Sequence, residues 1–396
     1  MEKKLTLAEI LEGIDDFRQE NSVEHKLIDI LIIAILATIC GASGYLHIYK
    51  YAEAKKEWLS TFLELPNGIP SAYTIRRVMM NINPEQFHAA FIEWVQIICQ
   101  KASGLVAIDG KTARRTKGLK DGKKALHVVS AFAVKNKLIL GQLATDEKSN
   151  EITAIPELLK MLELEGCIVT IDAMGTQKDI AEQIIEAGAD YVLSLKENQK
   201  TLHDDIALYM ETDILTQEKK DLKEKDAYHC TIDNEHGRLE KREYYTCNDV
   251  EWLSQLEDWK GLSGFGLCIS TVTTEKRIKE VDEITGKNIY RTEEKTTVSY
   301  NYAIYSVKNM SAKQFAEYKR GHWGIENSLH WSLDMTFRED ESRARADYSA
   351  ENLNIVRHIS YNFLKAESSS KASLAIKRLM CGWDNDYLLK VLKCAI

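Results

Sequence analysis

The stretch Gly321–Asp340, GHWGIENSLHWSLDMTFRED, sets two histidines, two tryptophans and several carboxylates where a buried helix would carry aliphatics. As a helix it places His322, Glu326, His330 and Asp334, each four residues apart, along one stripe, and Ile325, Leu329 and Leu333 along the next. The aliphatic stripe can pack on a sheet, which leaves a carboxylate among imidazoles at the edge of the buried zone, where metal ligands can be held rigidly. Two more carboxylates, Asp109 in LVAID and Asp172 in VTIDA, each close a short apolar run. Open α/β sheets build their sites at strand carboxyl ends, so neighbouring strands would set these aspartates side by side. Adjacent carboxylates stay ionised together only with a cation between them. Three such ligands favour magnesium or manganese over zinc, and two ions about 3.5–4 Å apart suit in-line displacement at phosphorus.

Blander readings exist for each group. Asp109 and Asp172 can each cap the turn after a strand. His322 and His330 can be hydrogen-bonded scaffold, or zinc ligands with Glu326, although no HExxH signature is present. Tryptophan is usually a core residue, which is the default for Trp323 and Trp331. No GxxxxGK[ST] loop points to a nucleoside triphosphate.

Directly after Asp109, GKTARRTKGLKDGKK brings Lys111, Arg114, Arg115, Lys117, Lys120, Lys123 and Lys124 together against the single acid Asp121. A basic run beside a metal ligand suits a phosphate backbone better than a solvated loop. The chain as a whole carries a formal charge of −8, so any polyanion surface is local. Arg76 and Arg77, on a helix that Ser71 can cap, offer a second contact with DNA phosphate or a solvated face.

Leu5 to about Ala102 has helical spacing, including IDILIIAILATI and PEQFHAAFIEWVQIICQKA. From Gly104 the pattern changes to GLVAIDGK, LHVVSAFAV and LILGQLATD, three strands, followed by helix TAIPELLKMLELEG, strand CIVTIDA, helix TQKDIAEQIIEAGA and strand DYVLSLK. That order predicts a mixed sheet covered by helices. A polar stretch from about Glu197 to Glu294 contains HGRLEKREYYTC, GFGLCISTVTTEKR and KTTVSYNYAIYSV, antiparallel strands that read as an insertion. After a capping box at Ser311 and Gln314 the chain is helical to Leu392.

With 396 residues, 44 % hydrophobic and 28 % charged, the chain can bury ordinary cores in two or three domains. Its most apolar segment, Ile30 to Leu46, is short of the roughly 20 residues a membrane span needs, and no secretory signal is expected. The eight cysteines show no CxxC spacing and suit a reducing cytoplasm.

VAIDGKTARRT, VTIDAMGTQKDIA, DYVLSLKENQK, NEHGRLEKREYY and GHWGIENSLHWSLDMTFREDESRAR, in that order, resemble the ISAs-type insertion-sequence transposases, the H-repeat-associated proteins of the DDE group with a ribonuclease-H-like core. The N-terminal HKLIDILIIAILATICGASGYLHIYKYAEAKKEWLSTFLEL and GIPSAYTIRRVMMNINPEQFHAAF resemble the helical domain associated with them. The resemblance implies an α/β fold: an N-terminal helical domain over 1–102, and a ribonuclease-H-like catalytic domain over 103–396 interrupted by a β-rich insertion at about 197–305. It implies Asp109, Asp172 and Glu326 as catalytic, metal-binding residues for two magnesium or manganese ions, supported by His322, Asn327 and His330. Lys111, Arg114, Arg115, Lys117, Arg76, Arg77, Arg238, Lys241 and Arg320 are the basic residues expected to hold double-stranded DNA, at element terminal repeats and target, with no membrane role, and the resemblance implies a homodimer. A plain nuclease, or a DNA-binding descendant that has lost catalysis, is the alternative. Tyr318, Arg320 and Leu333 depart from the tyrosine, arginine, glutamate and lysine signature of the wider group, so those roles are not carried over.

Overall fold

A computed structural model describes all residues except 1–4, 20, 22, 100–102, 119–123, 146–150, 236–237, 282–287 and 394–396. Lys120, Asp121 and Lys123 of the basic run, and the expected domain boundary at 102, lie outside the described residues. Two compact units result, one of residues 1–167 with 322–396 and one of residues 168–321.

The first unit is built on a helical layer. Leu27–Ile39 is apolar on almost every face and is buried accordingly. It packs against Ser349–Ala366, another almost fully buried helix. Ser71 caps the helix Ala72–Asn81 by accepting the Thr74 amide at 3.1 Å, as its sequence predicts. The segment taken from its hydropathy as the best membrane candidate splits between Leu27–Ile39 and Tyr45–Ala54, and no described helix is long and apolar enough to cross a membrane.

Three antiparallel strands complete this unit: β1 (Gly104–Thr112), β2 (His127–Ala133) and β3 (Leu138–Thr145), in the order β3-β2-β1. The free side of β3 is closed by side chains. Asn362 exchanges hydrogen bonds with the Ile139 amide and carbonyl, both 2.9 Å, and His88 Nε2 accepts the Gln142 amide at 3.1 Å. Covering an edge in this way stops it from pairing with another chain.

The second unit is a six-stranded mixed sheet. Its strands are β4 (Cys167–Ile171, entering from the first unit at Cys167), β5 (Asp190–Leu195), β6 (Tyr228–Glu235), β7 (Arg238–Cys247), β8 (Gly264–Val281) and β9 (Asn288–Tyr305). The order is β4-β5-β9-β8-β7-β6, with β4 and β5 parallel and the rest antiparallel. Helix Lys178–Glu186 makes the crossover between the parallel pair. The three expected insertion strands are present as β7, β8 and β9; the structure adds β6 and the helices Lys200–Tyr209 and Lys219–Glu224. Helix Ala312–Gly324 packs Phe315 and Ala316 on Tyr244, Cys268 and Tyr305 of the sheet, and Ser311 with Gln314 forms the expected cap.

The result is an α/β fold with a mixed sheet flanked by helices, and three antiparallel strands precede the strand-helix-strand unit as a ribonuclease-H-like core requires.

Candidate active site

Asp109 lies within β1 opposite Ser130, and the strand runs on to Thr112 rather than ending at the carboxylate. Its Oδ1 accepts the Gly110 amide at 2.9 Å, and its Oδ2 is 3.7 Å from His330 Nδ1. Burial lowers the His330 imidazole to about 4, helped by the Lys111 charge, so it is neutral at pH 7. Its Nε2 is buried and has no hydrogen-bond partner among the described residues. Beneath the strand, His127 Nε2 and Glu151 Oε1 meet at 2.6 Å, both side chains almost wholly buried, and Thr112 Oγ1 is 2.7 Å from His127 Nδ1. Gly110 has to be glycine here: a Cβ would lie well under 3.0 Å from both members of that pair.

Glu326 sits where a helix changes pitch. The α-helix Ala312–Gly324 continues as a π turn, Ile325–His330, before α-helix resumes at Trp331–Met335. The Trp331 amide bonds to the Glu326 carbonyl, five residues back. A regular stripe of His322, Glu326, His330 and Asp334 is therefore corrected: the wider turn shifts the second half of the stripe relative to the first. Single π turns are common at functional positions. Ile325, Leu329 and Leu333 are nonetheless buried as expected. Glu326 and Asn327 are exposed, His322 is half-buried, and the Glu326 carboxylate has no hydrogen-bond or ion-pair partner among the described residues. Trp323 and Trp331, expected in the core, are 48 % and 58 % exposed, because they fall on the side of the helix opposite Ile325 and Leu329.

Asp172, in the second unit, directly follows β4. Its Oδ1 accepts the amides of Met174 (3.0 Å) and Gly175 (3.3 Å), so it does organise its turn, while Oδ2 has no hydrogen-bond partner among the described residues. The next carbonyl, Ala173, accepts from Asn198 Nδ2 at 2.7 Å, and the Thr176 carbonyl accepts from Gln199 Nε2 at 3.0 Å. The KENQ segment after β5 thus braces the loop that carries Asp172.

Lys111 is placed differently from its basic neighbours. Its ammonium is 2.7 Å from both Asp334 Oδ1 and Glu339 Oε2 and 3.8 Å from Asp340 Oδ1, with only 11 % of the side chain exposed. The chain reaches Glu339 through Arg338, whose φ of 53° is left-handed, and Glu339 also accepts from Asn354 Nδ2 at 2.6 Å. This cluster was not legible in the sequence, because Lys111 and Glu339 are 228 residues apart. Arg114 is largely exposed, with Asp340 3.5 Å from its Nε, and Arg115 and Lys117 are exposed, as are Arg76 and Arg77. In the second unit Arg238 pairs with Glu240 (3.2 Å), Lys241 with Glu243 (2.9 Å) and Arg320 with Asp233 (3.5 Å), each about half exposed.

Carboxylate oxygens are hard donors, of the kind that magnesium and manganese prefer over softer ligands. Among the described residues, no three His, Cys, Asp or Glu side chains stand together as a finished metal cage. Asp109 and Glu326 belong to the first unit and Asp172 to the second.

Comparison with known proteins places the chain in the transposase and nuclease class. It belongs to the Transposase DDE domain family, which matches residues 100–363, and the DDE_Tnp_1-associated family matches residues 8–95. The "H repeat-associated putative transposase YhhI" of Escherichia coli K12 is 39 % identical over 98 % of this chain and 97 % of its own length. YncI of Escherichia coli O157:H7, a transposase by name, is 38 % identical over 98 % of this chain and 94 % of its own. The piggyBac transposase synaptic complex with hairpin DNA covers 98 % of this chain and 76 % of that one at 11 % identity and a TM-score of 0.36, a likeness too distant to carry an argument.

Proposed function

We propose that this protein is the DNA transposase of an insertion sequence, cutting at element ends and joining the freed end to target DNA. Asp109, Asp172 and Glu326 are the catalytic and metal-binding residues, and two magnesium or manganese ions are the cofactor. The observation that carries the reading is that motif carboxylates keep oxygen atoms uncommitted: Glu326 and Asp172 Oδ2 have no partner among the described residues. Carboxylates that share a site stay ionised together only with a cation between them, which is why divalent ions are part of this reading.

When bound, the ions lower the cost of forming the attacking oxygen, from water in the first step and from the DNA 3′-hydroxyl in the second. The chain's part is to hold the ligands. The Gly110 amide fixes Asp109, the Met174 and Gly175 amides fix Asp172, and neutral His330 sits beside Asp109 without adding charge. His322 and Asn327 flank Glu326 as supporting groups.

Arg76, Arg77, Arg114, Arg115, Lys117, Arg238, Lys241 and Arg320 make up the DNA-contacting set. Lys111, already matched by acids, holds β1 to the segment after Glu326 and meets phosphate only if that cluster opens. The helical region over 1–102 contributes DNA contact and the region over 103–396, with its insertion at about 197–305, the chemistry. The active complex is a homodimer on double-stranded DNA, element terminal repeats and target, in a bacterial cytoplasm at the nucleoid. Incubating the protein with labelled end-of-element DNA and magnesium tests this reading. Nicked and then joined products support it; nicking with no joining of a pre-cleaved end makes the protein a nuclease instead.

A further inference from the structure

The motif DYVLSLKENQK is only partly used by the triad, because its polar end does more than brace the Asp172 loop. Lys319, on helix Ala312–Gly324, donates to Ser194 Oγ on β5 at 2.9 Å. The Ser194 carbonyl accepts from Thr176 Oγ1 at 2.6 Å, and that hydroxyl lies 3.2 Å from the Asp172 carbonyl. A hydrogen-bonded chain therefore runs from the Lys319 ammonium to the backbone of the Asp172 loop, entirely within the second unit.

Lys319 is half-buried, and no carboxylate lies within ion-pair distance of it among the described residues. Two groups act on its charge: Cys268 would favour it as a thiolate, although burial raises that thiol, and the ammonium of Lys196, the exposed residue that follows β5, opposes it. Burial, with Lys196 adding to it, lowers the Lys319 ammonium to about 8. Lys196 too has no acidic partner among the described residues. Arg238, Lys241, Arg242, Lys219 and Arg320 of this unit each face an acid. A part-buried ammonium costs free energy unless an anion accompanies it, and two neighbouring ammoniums cost more.

We propose that Lys196 and Lys319 form a phosphate clamp that grips the DNA backbone at the carboxyl end of β5, beside the Asp172 loop. This rests on the transposase reading, and it assigns the two lysines a role distinct from metal binding. Their ammoniums meet one or two phosphodiester oxygens, and Ser194 Oγ keeps the Lys319 ammonium pointed at the strand end. The contact carries no base information, so it acts alike on all sequences.

The test is binding of the full chain to a labelled 30-base-pair duplex of arbitrary sequence, by fluorescence anisotropy, from about 50 to about 200 mM salt. Each phosphate contact adds about 0.9 to the slope of log affinity against log salt. Lys196→Met and Lys319→Met are each expected to lower that slope by about 0.9, equivalent to a loss of about 3.5-fold in salt sensitivity over this range, and the double variant by about twice that slope. Lys319→Arg keeps the slope. Because Lys196 is exposed, its variant decides the question even if Lys319→Met fails to fold. Wild-type slopes in both methionine variants overturn the clamp and leave the transposase reading standing. A wild-type chain that binds no duplex overturns both.

Discussion

Removing the Lys111 ammonium leaves Glu339 buried and without its principal counter-charge. Burial alone would raise the Glu339 carboxyl. The Lys111 charge, with Arg357 and His358 behind it, overrides this and holds the carboxyl at about 2 instead of 4.5. A drop of that size corresponds to about 3 kcal/mol. Breaking one side of a buried pair costs about 3–5 kcal/mol, and the remaining Asn354 hydrogen bond argues for the lower end. Lys111→Met is therefore expected to destabilise the first unit by about 3 kcal/mol at pH 7, or about 6–12 °C in Tm. The sign with pH follows from a depressed acid: the contribution is complete above the unfolded pKa and is lost as pH falls through the folded one. Without Lys111 the buried carboxyl is raised, so the gap between variant and wild type in urea unfolding should begin to narrow above pH 4.5, as the variant's Glu339 takes up its proton, and close as pH falls to about 2. A variant within about 0.5 kcal/mol of wild type at pH 7, or a gap that stays constant with pH, would refute the ion-pair argument.

Two other substitutions probe the surroundings of the carboxylates. Gly110→Ala forces a methyl into the space held by the His127–Glu151 pair and should cost about 1–3 kcal/mol; an unchanged urea midpoint would show that the pair can move aside. Trp331→Ala, at a side chain 58 % exposed, should change stability by less than about 0.5 kcal/mol, and a larger loss would mean the ring is covered.

The elements that carry the site were readable because β-branched runs bounded by turn residues mark strands whatever surrounds them. GLVAIDGK, CIVTIDA and DYVLSLK all proved to be strands, and Ile325, Leu329 and Leu333 were correctly placed inside. Three features were not readable. The π turn at Ile325–His330 depends on one extra residue per hydrogen-bonded ring, for which IENSLH carries no composition signal. Lys111 looked like part of a uniform basic run, and only tertiary folding brings Asp334 and Glu339 to it. Strand β6 and helix Lys200–Tyr209 were hidden in a polar stretch, since one has a largely solvated face and the other buries only Leu202 and Ile206.

The most direct measurement compares wild type with Asp109→Asn, Asp172→Asn and Glu326→Gln on labelled end-of-element DNA, scoring binding and cleavage separately, in magnesium and in calcium. Full binding with cleavage lost in all three variants, and wild-type cleavage in magnesium only, is the predicted result. Cleavage by Glu326→Gln at the wild-type rate in magnesium would contradict the assignment of that π turn as part of the metal site.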